Sequence, residues 1–316
     1  MAKIVITEFM DEDAVAELRR SFDVVYDPVL VDRPTDLLAQ AINAQALIVR
    51  NRTQVSAELL SHLPALRVVG RLGVGLDNID LNATQARNIT VIPATGANAL
   101  AVAEYVITSA LILLRGAFLS SAQVAQGLWP RTALSSGLEI NSKQLGLIGF
   151  GSIGQLTAKL AQALGVSVVA YDPNIPADNP LWVESNVQPV TFESLLANSD
   201  IISLHVPLVD ATYHLISEKE FSLIKSTAVL INTARGGIVD ENALAEALKT
   251  GQLTGAALDV FEQEPLPANS ALAGVPNLLL TPHIAGVSRE SNQRVSHLIA
   301  TKVAEALLSE QSEQGL

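Results

Sequence analysis

The chain has 316 residues, of which 49% are apolar and 4% aromatic, no cysteine, and a formal net charge of −12. That length exceeds one comfortable hydrophobic core and calls for two domains, and the composition is that of a folded globular protein. The acidic balance argues against nucleic acid or an anionic membrane surface as partner, and the missing thiols exclude disulfides, thiolate catalysis and cysteine-ligated zinc.

The opening MAKIVITEFM has no apolar signal-peptide core, so the expected location is the cytoplasm. Strand-like runs follow in KIVITE, DVVYDP, ALIVRN, LRVVGRLG and TVIPAT, with helical patterns such as DAVAELRRSF and SAELLSHL between them. Strands alternating with helices predict βαβ units and a parallel sheet. The most apolar run, Ala99 to Leu114, carries Glu104 and is short for a membrane span, so it predicts a buried or interface helix. A second alternating series begins near residue 144 with QLGLIGF, VSVVAYD, IISLHVPL, TAVLINTA, LTGAALDVF and NLLLTPH. Its near-continuous apolar strands predict a doubly wound α/β sheet, and six of them match a complete dinucleotide-binding domain in number. The tail from Gly286 reads as a helix that packs back on the first domain. The expected domains are therefore 1–97 with 287–316, and 98–286.

Gly149, Gly151 and Gly154 form G-x-G-x-x-G between the strand QLGLI and the helical SIGQLTAKLAQAL. Alone the pattern is weak; in that setting it predicts a tight turn, a close approach to a pyrophosphate and a helix N-terminus that receives it. The next strand ends in Asp172, placed to accept hydrogen bonds from adenosine ribose hydroxyls. No Lys, Arg or His lies between Asp172 and Val190, so nothing local would neutralise a 2′-phosphate, and NAD is expected over NADP. Asp172 also opens an Asp-Pro turn with Pro173, and the two readings are compatible.

Ligands in such sheets bind beyond the carboxyl ends of the strands. The later strands run out to Arg235 in NTARGG, Glu264 in DVFEQEP and His283 in TPHIAG. Arg235 can bind a substrate carboxylate and polarise a carbonyl, His283 can exchange the hydroxyl proton, and Glu264 can hold the imidazolium. Taken singly they are better read as a solvated loop charge, a packed loop histidine and a turn cap before Pro265. Three such residues at neighbouring strand ends favour chemistry. His205 ends the third strand and is expected to touch the cofactor, whereas His62, His214 and His297 read as surface, loop or packing residues. No pair of histidines has ligand spacing, so no metal is expected.

In order, VRNRTQV, GRLGVGLDNIDL, NALAVAEYV, GLWPR, LGLIGFGSIG, HVPL, INTARGGIVDENAL, ALDVFEQEP and TPHIAG resemble the NAD-dependent D-2-hydroxyacid dehydrogenases, especially the phosphoglycerate dehydrogenase branch, over nearly the whole chain. The resemblance implies a Rossmann domain plus a flavodoxin-like substrate domain, with the active site in the cleft, and a homodimer that closes on binding. It assigns catalysis to Arg235, Glu264 and His283. It implies a cofactor site of Gly149, Gly151, Ser152, Ile153, Gly154, Asp172, His205, Val206, Pro207, Thr212, Thr233, Ala234, Arg235, Asp259 and His283, with Asp259 near the nicotinamide carboxamide. Leu72, Gly73, Val74 and Gly75 resemble the loop whose backbone amides receive the substrate carboxylate, and Arg50, Asn51 and Arg52 resemble the segment facing the far end of the substrate. The helix from Asn98 resembles the hinge and dimer-interface helix. Ala101 and Ser142 depart from the usual serine and glycine without touching the chemistry. Glu264 argues against formate dehydrogenases, which carry glutamine there.

The last helical pattern runs nearly to residue 316, so the regulatory C-terminal domain of many phosphoglycerate dehydrogenases is expected to be missing, which weakens serine biosynthesis as the expected role. Arg50 and Arg52 lie two apart at a strand end, so their side chains are expected to point the same way, and Arg71 ends the following strand. Some of these are expected to bind a second anion: the phosphate of 3-phosphoglycerate, the sulfonate of 3-sulfolactate or the carboxylate of malate. RNRT with GRLGVGLDNID is similar to bacterial sulfolactate dehydrogenases. Pairing with surface acids is the alternative for the arginines. Reduction of glyoxylate or hydroxypyruvate is the rival reaction, and an NAD-sensing co-repressor of the same fold is the rival from another class.

Overall fold

The computed structural model describes residues 1–116 and 120–313. In chain order the elements are β1 (Lys3–Ile6), α1 (Glu12–Leu18), β2 (Asp23–Tyr26), α2 (Pro34–Ala41), β3 (Ala46–Val49), α3 (Ala57–Ser61), β4 (Val68–Arg71), α4 (Leu81–Ala86), β5 (Thr90–Pro93), α5 (Ala99–Arg115) and α6 (Ser121–Ala125). There follow β6 (Gln144–Ile148), α7 (Ser152–Ala163), β7 (Ser167–Tyr171), α8 (Pro180–Glu184), β8 (Gln188–Pro189), α9 (Phe192–Asn198), β9 (Ile201–Leu204), α10 (Glu218–Leu223), β10 (Val229–Asn232), α11 (Glu241–Lys249), β11 (Gly255–Leu258), β12 (Leu278–Leu280) and α12 (Arg289–Glu313). They form two compact units, Met1–Asn98 with Val287–Leu316, and Ala99–Gly286.

The first unit is a parallel five-stranded sheet of order β2-β1-β3-β4-β5, the flavodoxin-like order. Alternate residues of one strand serve opposite faces. Ile4 and Ile6 pack with α1 residues and with Val295, Ile299 and Val303 of α12, while Val5 packs with Leu37, Leu60 and Leu63. Both faces are covered, which is why these strands read as unbroken apolar runs. Side-chain caps set the helix starts: Ser56 accepts the Leu59 amide at 3.2 Å, and Asp80 accepts the Ala83 amide at 2.9 Å.

The second unit is a parallel seven-stranded sheet of order β12-β11-β10-β9-β6-β7-β8, doubly wound about β6 and β9. Six of its strands are those the apolar runs predict. The seventh, β8, escapes sequence reading because it is two residues long and contains Pro189. Ser142, at φ +63, occupies a conformation that glycine adopts without strain.

Gly70 in β4 shows how closely α12 lies on its sheet. A Cβ at Gly70 would sit 2.8 Å from methyl carbons of both Ile299 and Val303. Gly70→Val should therefore overpack this contact and lower stability by about 1–3 kcal/mol in urea denaturation. A change below about 0.5 kcal/mol would show that the helix yields at no cost.

Candidate active site

After β6 the chain turns through Gly149 into α7. Gly149 has φ +94, and a Cβ there would lie 2.5 Å from the carbonyl oxygen of His205. At Gly154 a Cβ would lie 2.6 Å from the carbonyl oxygen of Gly149, so helix and turn touch through glycine alone. Gly151 instead faces open space and begins α7 without a side-chain cap. The N–H groups of the first turn, at Ser152 and Ile153, thus face an open approach at the positive end of a helix of 12 residues.

Asp172 stands beside that loop. Its Oδ2 accepts the Phe150 amide at 2.9 Å and its Oδ1 accepts the Asn174 amide at 3.0 Å. It therefore orders the Asp-Pro turn and braces the glycine loop together. Beyond β9, the His205 amide donates to the Ile148 carbonyl at 2.7 Å, and its Nε2 lies 3.0 Å from Ser203 Oγ. Burial pushes the His205 pKa down to about 4, so the ring is neutral at pH 7. Val206 lies against Gly149, and Thr212 Oγ1 closes the following loop by donating to the Pro207 carbonyl at 2.6 Å.

At the end of β10, buried Asn232 accepts the Ala234 amide at 3.0 Å and donates to the Arg235 carbonyl at 2.9 Å. Arg235 Nη1 donates to the Ala234 carbonyl at 2.6 Å. Thr233 Oγ1 is buried without a hydrogen-bond partner among the described residues. A donor and acceptor left bare at the mouth of the sheet suits a polar ligand. With the glycine cradle and the open helix end, it makes this unit fit a dinucleotide.

At the end of β11, Asp259 is 1% exposed. Its Oδ1 accepts Thr281 Oγ1 at 2.6 Å and the Ile284 amide at 2.8 Å, and its Oδ2 accepts the Ala285 amide at 2.7 Å. Its carbonyl accepts the His283 amide at 2.9 Å. His283 is thereby held at φ +56, unusual for a side chain with a Cβ. Its Nδ1 lies 2.8 Å from Glu264 Oε2, while Glu264 Oε1 accepts the Phe261 amide at 3.1 Å. The histidine and the acid singled out in the sequence are thus in direct contact, and Arg235 follows the strand adjacent to β11.

Sequence reading leaves three residues of this neighbourhood unassigned. Asn232 shapes the arginine loop. Thr281 links Asp259 to Tyr105, whose hydroxyl it meets. Burial and the charge of Asp259 raise the Tyr105 pKa against the Thr281 hydrogen bond, so the phenol stays neutral. Thr281 lies two residues before His283 in TPHIAG, a signal available but unused.

In the first unit, β3 ends at Val49, so Arg50, Asn51 and Arg52 lie in a loop and the alternation expected of a strand does not hold. Arg50 Nη2 donates to Asn292 Oδ1 at 2.9 Å, and the guanidinium lies 5.8 Å from the ring centre of Phe9. Arg52 instead forms an ion pair with Asp32 at the surface. Asn51 is exposed. In the RLGVG loop the Leu72 amide donates to the Val49 carbonyl and the Gly73 amide to the Arg71 carbonyl, each at 2.8 Å. The amide role expected of Leu72 and Gly73 is therefore taken by the sheet and by a tight turn. Among the described residues the amides of Val74 and Gly75 have no such acceptor.

Among the described residues no cluster of three or more His, Asp or Glu is arranged to hold a metal ion, and no helix is long and apolar enough to cross a membrane.

The profile of the family described as D-isomer specific 2-hydroxyacid dehydrogenase, NAD binding domain, matches residues 107–285. The chain is 51% identical over 307 residues to the (S)-sulfolactate dehydrogenase of Chromohalobacter salexigens, covering 97% of this chain and 99% of that protein. It is 37% identical over 301 residues to the D-3-phosphoglycerate dehydrogenase of Archaeoglobus fulgidus, covering 95% of this chain but only 56% of that relative. The crystal structure of the TT0316 protein from Thermus thermophilus superposes with a TM-score of 0.87 at 33% identity, covering 97% of each chain. The chain belongs to the D-isomer specific 2-hydroxyacid dehydrogenase family and carries that family's NAD-binding domain.

Proposed function

We propose that this NAD-dependent 2-hydroxyacid dehydrogenase acts on a 2-hydroxy acid bearing a second anionic group, with 3-sulfolactate and its keto acid sulfopyruvate the foremost pair. The observation that carries the reaction is the His283–Glu264 contact of 2.8 Å at the end of a nucleotide-binding sheet. For the substrate class, support comes from the identity of 51% to a sulfolactate dehydrogenase and from the half-buried Arg50, held by a neutral asparagine.

The glycine turn at Gly149, Gly151 and Gly154 and the first turn of α7 would hold the pyrophosphate, and Asp172 the adenosine ribose, with His205, Val206, Pro207, Thr212, Thr233 and Ala234 lining the rest. Bound there, NAD supplies the acceptor for the hydride leaving C2 of the hydroxy acid. Glu264 engages His283 Nδ1, which leaves Nε2 to take the hydroxyl proton as the C2 carbonyl forms, and to return it in the reverse direction. Arg235 anchors the substrate carboxylate and polarises the C2 oxygen. The amides of Val74 and Gly75 are the proposed further donors to that carboxylate, and Arg50 the receiver of the second anion. We place the protein in the cytoplasm as a homodimer, without a nucleic-acid or membrane partner. The acidic composition speaks against a nucleic-acid or anionic membrane partner, and exposed apolar surface at Val124, Leu128 and Trp129, the last 78% exposed, supports the dimer.

NADH oxidation should be followed against hydroxypyruvate, phosphohydroxypyruvate, sulfopyruvate, oxaloacetate, glyoxylate and pyruvate. The expected result is kcat/KM strongly favouring a dianionic keto acid, with His283→Ala lowering kcat by about 10²–10⁴. Activity spread evenly over small monoanions would remove the second-anion reading and favour a glyoxylate or hydroxypyruvate reductase. Asp172→Ala should weaken NADH binding by about tenfold or more and narrow the gap to NADPH; an unaltered ratio of the two affinities would show that Asp172 does not read the ribose.

A further inference from the structure

Glu8 is a buried carboxylate that no step of the proposed reaction uses. It follows β1 and is 4% exposed. Its Oε1 accepts the amides of Arg50 at 2.9 Å and Thr53 at 3.0 Å, and its Oε2 those of Arg52 at 3.0 Å and Asn51 at 3.3 Å. Four consecutive main-chain N–H groups thus converge on one side chain, the arrangement by which a backbone concavity binds an anion. The opposite side of the loop is bound as well. Asn78, 8% exposed, donates to the Thr53 carbonyl at 2.7 Å and to the Arg50 carbonyl at 3.4 Å. The hydroxyls of Thr7 and Thr53 meet at 2.7 Å. Burial alone would raise the Glu8 pKa, but the amides of Thr53, Arg50 and Arg52 and the Thr53 hydroxyl outweigh it, so the carboxylate is ionised at neutral pH.

The loop's own anion-binding amides are therefore filled from within the protein, so an incoming anion meets side chains here and not backbone. Of the two loop arginines, Arg52 is spent on Asp32, whereas Arg50 is held by Asn292 and Phe9. Besides accepting the four amides, the Glu8 carboxylate faces Arg50 electrostatically: burial disfavours the charged guanidinium, and the nearby Glu8 charge works against that.

We propose that Glu8 is a positioning residue for substrate selection: by binding the amides of Arg50 to Thr53 it fixes the loop that presents Arg50 to the second anion of the substrate. This rests on the reading of Arg50 as the receiver of that anion. Glu8→Gln keeps size and shape but turns one acceptor oxygen into an NH₂ group facing two N–H donors.

The test is the KM for sulfopyruvate divided by the KM for pyruvate, measured with NADH for the wild-type protein, Glu8→Gln and Arg50→Met, alongside melting temperatures. The expected result is a ratio raised at least tenfold by both variants. A purely structural role would lower the melting temperature of Glu8→Gln while moving the two KM values together, and would overturn the proposal. If Arg50→Met leaves the ratio unchanged, the anion-receiver reading itself fails. If Arg50→Met raises it and Glu8→Gln does not, only the role of Glu8 fails. Glu8→Asp, which keeps the charge but withdraws it by one methylene, is read by the same ratio should Glu8→Gln not fold.

Discussion

The geometry of the proposed proton-transfer site depends on one buried carboxylate. Asp259, at the end of β11, gathers the Thr281 hydroxyl and the amides of Ile284 and Ala285, while its carbonyl takes the amide of His283. These bonds hold His283 in a left-handed conformation that costs a non-glycine residue about 1 kcal/mol or more. The strained backbone turns the imidazole toward Glu264. Arg235, Glu264 and His283 follow the carboxyl ends of the adjacent parallel strands β10, β11 and β12.

The same device recurs. Asp172 braces the glycine loop through the Phe150 amide, Asp240 caps α11 through the amides of Asn242 and Ala243, and Glu8 gathers four amides in the first unit. A protein of net charge −12 thus uses several carboxylates as internal acceptors for main-chain N–H groups. An ionised acceptor makes a stronger hydrogen bond than a neutral one. Loops at strand ends, where sheet hydrogen bonds run out, are where such acceptors hold backbone in place.

The fold is legible in the sequence because both faces of each sheet are covered. Ile4, Val5 and Ile6 are all buried, on alternating faces, and read as one apolar run. The glycine fingerprint is legible because each position has a separate steric reason, as Gly149 and Gly154 show. What stays hidden depends on pairing between distant segments. Nothing local announces that Glu8 meets residues 50–53, that Asp259 binds Ile284 and Ala285, or that the Leu72 amide is taken by Val49. The expected common orientation of Arg50 and Arg52 fails for the same reason. Strand alternation does not continue past Val49, where Glu8 draws the chain into a loop.

The central claim, direct hydride transfer to the keto carbon of a dianionic acid, is tested most directly by isotope tracing. Sulfopyruvate would be reduced in ordinary water with NADH carrying deuterium at the transferable C4 position, and the product analysed by mass spectrometry and NMR. The account predicts one deuterium at C2 of the sulfolactate formed. Sulfolactate without deuterium at C2, or no sulfolactate while only monoanionic keto acids are reduced, would contradict it.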